Sequence, residues 1–175
     1  MIIPLIWNTW QKEPIIWPAR LNQGKSNHER GMNMKFSYND GGRKGAGYLG
    51  QTSDCVTRSI AIATGKPYQE VYDALNTLQK SLKQTKRVRG SSSRTGVSRA
   101  IYGFYLESLG WEFVPTMGIG TGCKVHLKDG ELPSGNIIAR VSKHMVAVID
   151  GVIQDTHDPS RDGTRCVYGY FQKGA

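Results

Sequence analysis

The sequence predicts an α+β domain, with helices in its first half and an antiparallel sheet in its second. Three observations carry this prediction. Apolar residues recur at helical spacing after Asp54 and again after Pro67. The segments "GNIIARVS", "HMVAVIDG" and "VIQDT" near the C-terminus are rich in β-branched residues. Asp150-Gly151 separates two of those runs, as a hairpin turn would. Helical segments followed by a run of strands make an α+β order.

The elements follow in sequence. Residues 1–33 read as an irregular extension: prolines at positions 4, 14 and 18 interrupt any helix, and the Trp and Ile residues follow no period. This stretch is expected to be a docking arm, a loosely held tail or an artefact of start-site choice, since Met32 and Met34 precede the first orderly run. The domain proper is placed at 34–175. Residues 39–50, "NDGGRKGAGYLG", read as a flexible glycine-rich lead-in without a phosphate-loop lysine.

A first helix is predicted from about Asp54 to Thr64, capped by Thr52, Ser53 or Asp54 and stopped by Gly65. Val56, Ile60 and Ala63 form its apolar stripe. A second helix spans 66–84, with Pro67 in its first turn and Val71, Leu75, Leu78 and Leu82 on one face. Residues 83–99 carry six basic residues and no acid, and the central Gly-Ser-Ser-Ser predicts a solvated loop. Its other readings are a lid over a cleft, or a basic patch of Lys86, Arg87 and Arg89 on nucleic-acid phosphates. A third helix covers 97–110 and ends at Gly110. "WEFVPTM" reads as a strand, 117–122 as a loop edging a cleft, and "RCVYGYFQK" as the closing strand.

Composition narrows the classes. A chain of 175 residues with 38% hydrophobic residues suits one folded domain. Its net charge of +9 favours an anionic partner, although binding to nucleic acid needs a patch rather than a total. Three cysteines, with no CxxC pair, do not make a zinc cluster. Their odd number argues against a secreted disulfide scaffold and leaves a free thiol, which fits a cytoplasmic setting. Cys123 and Cys166 read as structural. No run approaches the ~20 apolar residues of a membrane span. His157 lies beside Asp155 and Asp158, but without a second ligand cluster no metal is expected.

The chemistry concentrates on Cys55, His144 and Asp155. A cysteine at a helix start meets free backbone amides that favour its thiolate and can hold an oxyanion. An imidazole beside it takes the thiol proton and returns it to a leaving group. If His144 opens a strand that turns at Asp150-Gly151, the return strand brings Asp155 alongside, about one pair off register. Asp155 then orients the ring, with Asp158 as the alternative acid. Arg58 follows Cys55 at i+3 and reads as a stabiliser of the thiolate, a binder of an acidic substrate group, or a surface arginine. The plain alternative for Cys55 is a small buried hydrophobe.

The order of cysteine at a helix start, then His and Asp on adjacent strands, resembles the papain-like cysteine peptidase superfamily. "HMVAVIDGVIQDTHDPS" is similar to the His–strand–turn–strand–Asp segment of double-glycine leader peptidases. "SDCVTRSIA" is similar to the "DGNCLFRAIA" pattern of ovarian-tumour type deubiquitinases. "GQTSDCVTRSIAIATGKPYQEVYDAL" together with "HMVAVIDGVIQDTHDPSRDGTRCVYGYF" resembles uncharacterised papain-fold proteins of phages and their hosts, over roughly residues 34–172. The resemblance implies a helical N-terminal lobe whose cysteine helix packs on a C-terminal antiparallel sheet. It implies Cys55 as nucleophile, His144 as base and Asp155 as orienting residue. The family's oxyanion glutamine lies about six residues before the cysteine, where this chain has Leu49. Gln51, or backbone amides in a loop shaped by Ser53 or Asp54, takes that place. The expected activity is hydrolysis or acyl transfer at an amide or isopeptide bond of a protein or peptide, without cofactor or metal. A phage origin would put that activity in the host cytoplasm. The alternative is a non-catalytic papain-fold binding protein whose 83–99 loop contacts nucleic acid or an acidic protein.

Overall fold

The computed structural model describes residues 33–82 and 90–174. The N-terminal extension through residue 32, and Lys86, Arg87 and Arg89, lie outside the described residues. In chain order the elements are β1 (Lys35–Tyr38), α1 (Cys55–Thr64), α2 (Tyr68–Ser81), α3 (Arg99–Ser108), β2 (Trp111–Pro115), β3 (Asn136–Val141), β4 (His144–Ile149), β5 (Val152–Asp155) and β6 (Val167–Lys173). Among the described residues the fold is α+β: three helices and a six-stranded sheet in the order β1-β5-β4-β3-β6-β2.

The sheet is not wholly antiparallel. β1 runs parallel to β5, pairing Lys35 with Val152 and Tyr38 with Asp155. "KFSY" escaped the sequence reading because it is an edge strand with all four residues exposed, so it carries no buried alternation. Every other pairing is antiparallel.

The helices cover one face. Val56, Ile60 and Ala63 of α1 are buried with Val71 and Leu75 of α2 and with Ile101 and Leu106 of α3. They meet Ile138, Met145, Ala147 and Phe171 of the sheet. Burying each large aliphatic side chain contributes about 1.5–3 kcal/mol, so this cluster holds α1 against β4. α1 stops at Gly65, whose φ of 70° is the left-handed conformation of a helix C-terminus. The opposite face buries Ile137, Ala139, Val146, Val148 and Ile153 beneath Met34 and Leu127. Among the described residues no helix is long and apolar enough to cross a membrane.

Two connecting segments and one cysteine pair depart from expectation. The glycine-rich stretch after β1 is a folded turn rather than a flexible lead. Asn39 and Asp40 accept hydrogen bonds from the Gly41 and Gly42 amides, both at 2.9 Å. Gly41 adopts φ 67°, and a Cβ there would lie 3.1 Å from the Arg58 carbonyl oxygen. The described part of the basic segment, residues 90–98, is pinned by hydrogen bonds, although Gly90, Arg94 and Thr95 stay exposed. Ser93 is fully buried, donates its hydroxyl to the Tyr72 carbonyl at 2.7 Å, and receives the Thr57 hydroxyl on its own carbonyl at 3.1 Å. The Ser53 amide donates to the Arg94 carbonyl at 3.0 Å, which ties this turn to the approach to α1. Finally, Cys123 and Cys166 form a disulfide with Cα atoms 5.8 Å apart, a pairing across 43 residues that spacing alone did not reveal. Cys55 is the free thiol.

Candidate active site

Cys55 is the first residue of α1, and Asp54 is its N-cap. The expected side-chain cap does not form. Asp54 is fully buried and turns its carboxylate inward, where Oδ2 accepts the Tyr68 hydroxyl at 2.7 Å and meets Arg43 Nε at 3.0 Å. Its Oδ1 pairs with Arg58 one turn along the helix. Thr52 is also occupied elsewhere, donating its hydroxyl to the Arg94 carbonyl at 2.5 Å. With no side-chain oxygen on them, the first amides of α1 stay available at the level of Cys55.

β4 delivers His144. β3 and β4 form a hairpin in which Val141 pairs with His144 across the Ser142-Lys143 turn. Lys143 takes φ 56° there, and the imidazole is placed directly after the turn. The next hairpin turns at Asp150 and Gly151, with φ 46° and 76°. Its register sets Ala147 against Gln154 and Ile149 against Val152. Continued by one pair, that register puts Asp155 opposite Val146, one same-face step from His144.

His144 and Asp155 meet, and Cys55 shares the cleft that His144 lines. His144 Nε2 lies 2.6 Å from Asp155 Oδ2. In that cleft Cys55 and His144 lie near enough for each to shift the other's titration, and with Nε2 engaged by Asp155 the ring nitrogen left for sulfur is Nδ1. Asp155 is itself held on its other oxygen: Oδ1 accepts from Arg58 Nη2 at 3.1 Å and from the Thr156 amide at 2.7 Å. Arg43, Asp54, Arg58, Asp155, His144 and Cys55 thus form one chain of alternating charge.

That chain sets the protonation states. Burial opposes the Cys55 thiolate, but the His144 hydrogen bond and charge, the Met145 amide and the Arg58 charge outweigh it. The thiol therefore titrates below its ordinary 9.0. Burial also opposes a charged His144. Hydrogen bonds to Asp155 and Cys55, and their charges, nevertheless raise its pKa from 6.5 to about 9. Burial likewise disfavours ionised Asp155, yet His144, the Thr156 amide and Arg58 carry its pKa below 3.8. The combination favours thiolate and imidazolium together.

No family model, curated protein or solved structure matches the chain. What can be read of the site therefore comes from its own geometry.

The other residues singled out from sequence lie as follows. Gln51 is exposed and is not among the residues lining the cleft at Cys55. Asp54 shapes the loop from below, as described, while Ser53 lines the cleft. Asp158 is exposed and accepts the Ser160 amide at 2.8 Å, so the carboxylate on His144 is that of Asp155. The His157 ring lies 5.2 Å from that of His144, centroid to centroid. Arg58 is no surface arginine: it is 7% exposed and bridges two carboxylates.

Sequence reasoning named Asp54 and Arg58 singly but missed their pairing, and it missed Arg43 and Tyr68. The Asp54–Arg58 pair carried a usable signal, the i,i+4 spacing of an ion pair on a helix. Arg43 and Tyr68 reach Asp54 across the fold and carried none. The cleft itself holds about 580 Å³. Thr95, Gly96 and Val97 of the pinned turn line it with α3 and the β3–β4 hairpin.

Proposed function

We propose that the chain is a papain-like cysteine hydrolase or acyl transferase acting on an amide or isopeptide bond of a protein or peptide. The observation that carries this reading is the His144–Asp155 pair, whose imidazole lines one cleft with Cys55 at the start of α1. In the proposed cycle, the Cys55 thiolate attacks the substrate carbonyl carbon, and the imidazolium of His144 protonates the departing amine. This leaves a thioester on Cys55. Water, deprotonated by His144, then attacks the thioester, and the carboxylic acid leaves as Cys55 recovers its thiolate and His144 its proton. A nucleophile other than water makes the same cycle an acyl transfer. The free amides at the start of α1 hold the oxyanion in both halves. Asp155 engages Nε2 and so leaves Nδ1 for the sulfur. Action in the cytoplasm is part of the proposal; the free thiol of Cys55 fits it, and the Cys123–Cys166 disulfide, a bond rare in that compartment, weighs against it.

Acyl-enzyme trapping tests it. An activated ester such as p-nitrophenyl acetate should give a burst of nitrophenol and a one-acetyl mass increase on the Cys55 peptide. Cys55→Ala should abolish both, and His144→Ala should slow the burst by about 10²–10⁴-fold. A protein that is not acylated at Cys55, or is acylated equally without His144, is better read as the non-catalytic binding protein.

A further inference from the structure

Three cations line the cleft beside Cys55: Arg99 from the start of α3, Arg140 from β3 and Lys143 from the β3–β4 turn. Among the described residues, no Asp or Glu lines it. Among the described residues, none of the three cations lies in an ion pair, whereas Arg43 and Arg58 next door are both paired with carboxylates. The two arginines are gathered rather than scattered: Arg99 Cζ lies 4.9 Å and Arg140 Cζ 5.3 Å from the centroid of the same Phe113 ring. Arg140 also lies 5.9 Å from the Tyr168 ring, and its Nε is buried without a hydrogen-bond partner.

A strand irregularity builds this arrangement. In the β3–β6 pairing, Arg140 faces Gly169 and Val141 faces Val167, so Tyr168 is an extra residue. Such bulges re-aim side chains at the edge of a site. Here Tyr168 and Arg140 both line the cleft. Gathering like charges on an aromatic platform, with no carboxylate to neutralise them, costs stability unless a ligand supplies the anion.

We propose that Arg99 and Arg140 form a carboxylate-binding subsite, and that the cleft takes an acidic peptide with an Asp or Glu side chain next to the scissile carbonyl. The guanidinium fork matches a carboxylate in a bidentate manner. The assignment to a peptide rests on the hydrolase reading above. A thiolate needs an acyl carbon, which the phosphodiester backbone of a nucleic acid does not offer. Around the thiol, Val56, Val97 and Met145 give the cleft apolar walls suited to a peptide's other side chains.

The test uses binding, so that it stands apart from turnover. Two fluorescently labelled hexapeptides, identical except for Glu or Gln at the two central positions, are titrated onto the full-length Cys55→Ala protein by fluorescence polarisation. The Glu peptide should bind at least about tenfold more tightly, and Arg99→Gln with Arg140→Gln should remove the difference. Because Arg140 is half-buried, Arg99→Glu at an exposed position gives a second arm: the preference should move toward a Lys-substituted peptide. Equal binding of the Glu and Gln peptides overturns the inference. So does a single-stranded oligonucleotide that outcompetes the Glu peptide, which would make the site a nucleic-acid contact. Alkylation of Cys55, measured in parallel on the unsubstituted protein, reports on the hydrolase reading. An activated Cys55 with no peptide preference sinks only the subsite, and an ordinary Cys55 with a clear preference sinks only the enzyme.

Discussion

Arg58 Nη2 lies 3.1 Å from Asp155 Oδ1, on the carboxylate oxygen that His144 does not use. A residue on the cysteine helix thus sets the rotamer of the acid that sets the imidazole. The link is mechanical as well as electrostatic, because Arg58 is buried and its other guanidinium nitrogen is taken by Asp54.

Arg58→Met should therefore cost more than a surface charge would. It leaves Asp54 and Asp155 buried with one partner fewer each, a loss of about 3–5 kcal/mol for a broken buried pair. Urea denaturation should show this fall. Arg58→Lys, which keeps the charge but not the fork, should recover only part of the stability and leave Cys55 less reactive than in the parent protein.

Asp155 makes acid stability a site property. Its folded pKa lies below the unfolded 3.8, so the stabilisation is present above 3.8 and is lost as the pH falls through the lower folded value. Urea midpoints measured from neutral pH down past 3.8 should drop in the parent protein. Asp155→Asn should start lower and lose that component of the drop. An unchanged acid limb in the variant would contradict the assignment.

The disulfide offers a separate check. Closing a loop between Cys123 and Cys166 should contribute about 2–4 kcal/mol relative to the reduced chain. Thiol titration of the denatured, unreduced protein should find one reactive group, and reduction should raise that to three and lower the thermal midpoint.

Gly169 holds the bulge beside the proposed subsite. It adopts φ 152°, and a Cβ there would approach the Val114 carbonyl oxygen to 2.8 Å and run into the Phe113 ring. Gly169→Ala should destabilise by about 1–3 kcal/mol. It should also disturb the Arg99 and Arg140 platform, read as a weaker preference for the acidic peptide.

The parts of this structure visible in sequence are those governed by local rules. α1 and α2 follow from apolar spacing, and the β4–β5 hairpin follows from Asp150-Gly151 between β-branched runs. That hairpin alone was enough to bring Asp155 to His144. The parts that were hidden depend on partners distant in the chain. β1 shows no burial pattern because it pairs only through its backbone at the sheet edge. Ser93 looks like a linker residue until Tyr72 and Thr57 close around it. Asp54 looks like a helix cap, yet its carboxylate is drawn inward by Arg43, Arg58 and Tyr68, none of which a capping rule consults. Arg99, Arg140 and Tyr168 come from three separate elements and share no motif.

The central claim is that His144 makes Cys55 a thiolate at a pH where a simple thiol is protonated. The direct measurement is the rate of Cys55 alkylation by iodoacetamide against pH, in the parent protein and in His144→Ala. Cys55 titrates below 9.0, and His144 keeps its proton up to about 9. The parent should therefore alkylate below the pH at which a simple thiol ionises, and His144→Ala should move the profile back up toward 9.0. A parent profile no different from a simple thiol, unmoved by the loss of His144, would contradict the account.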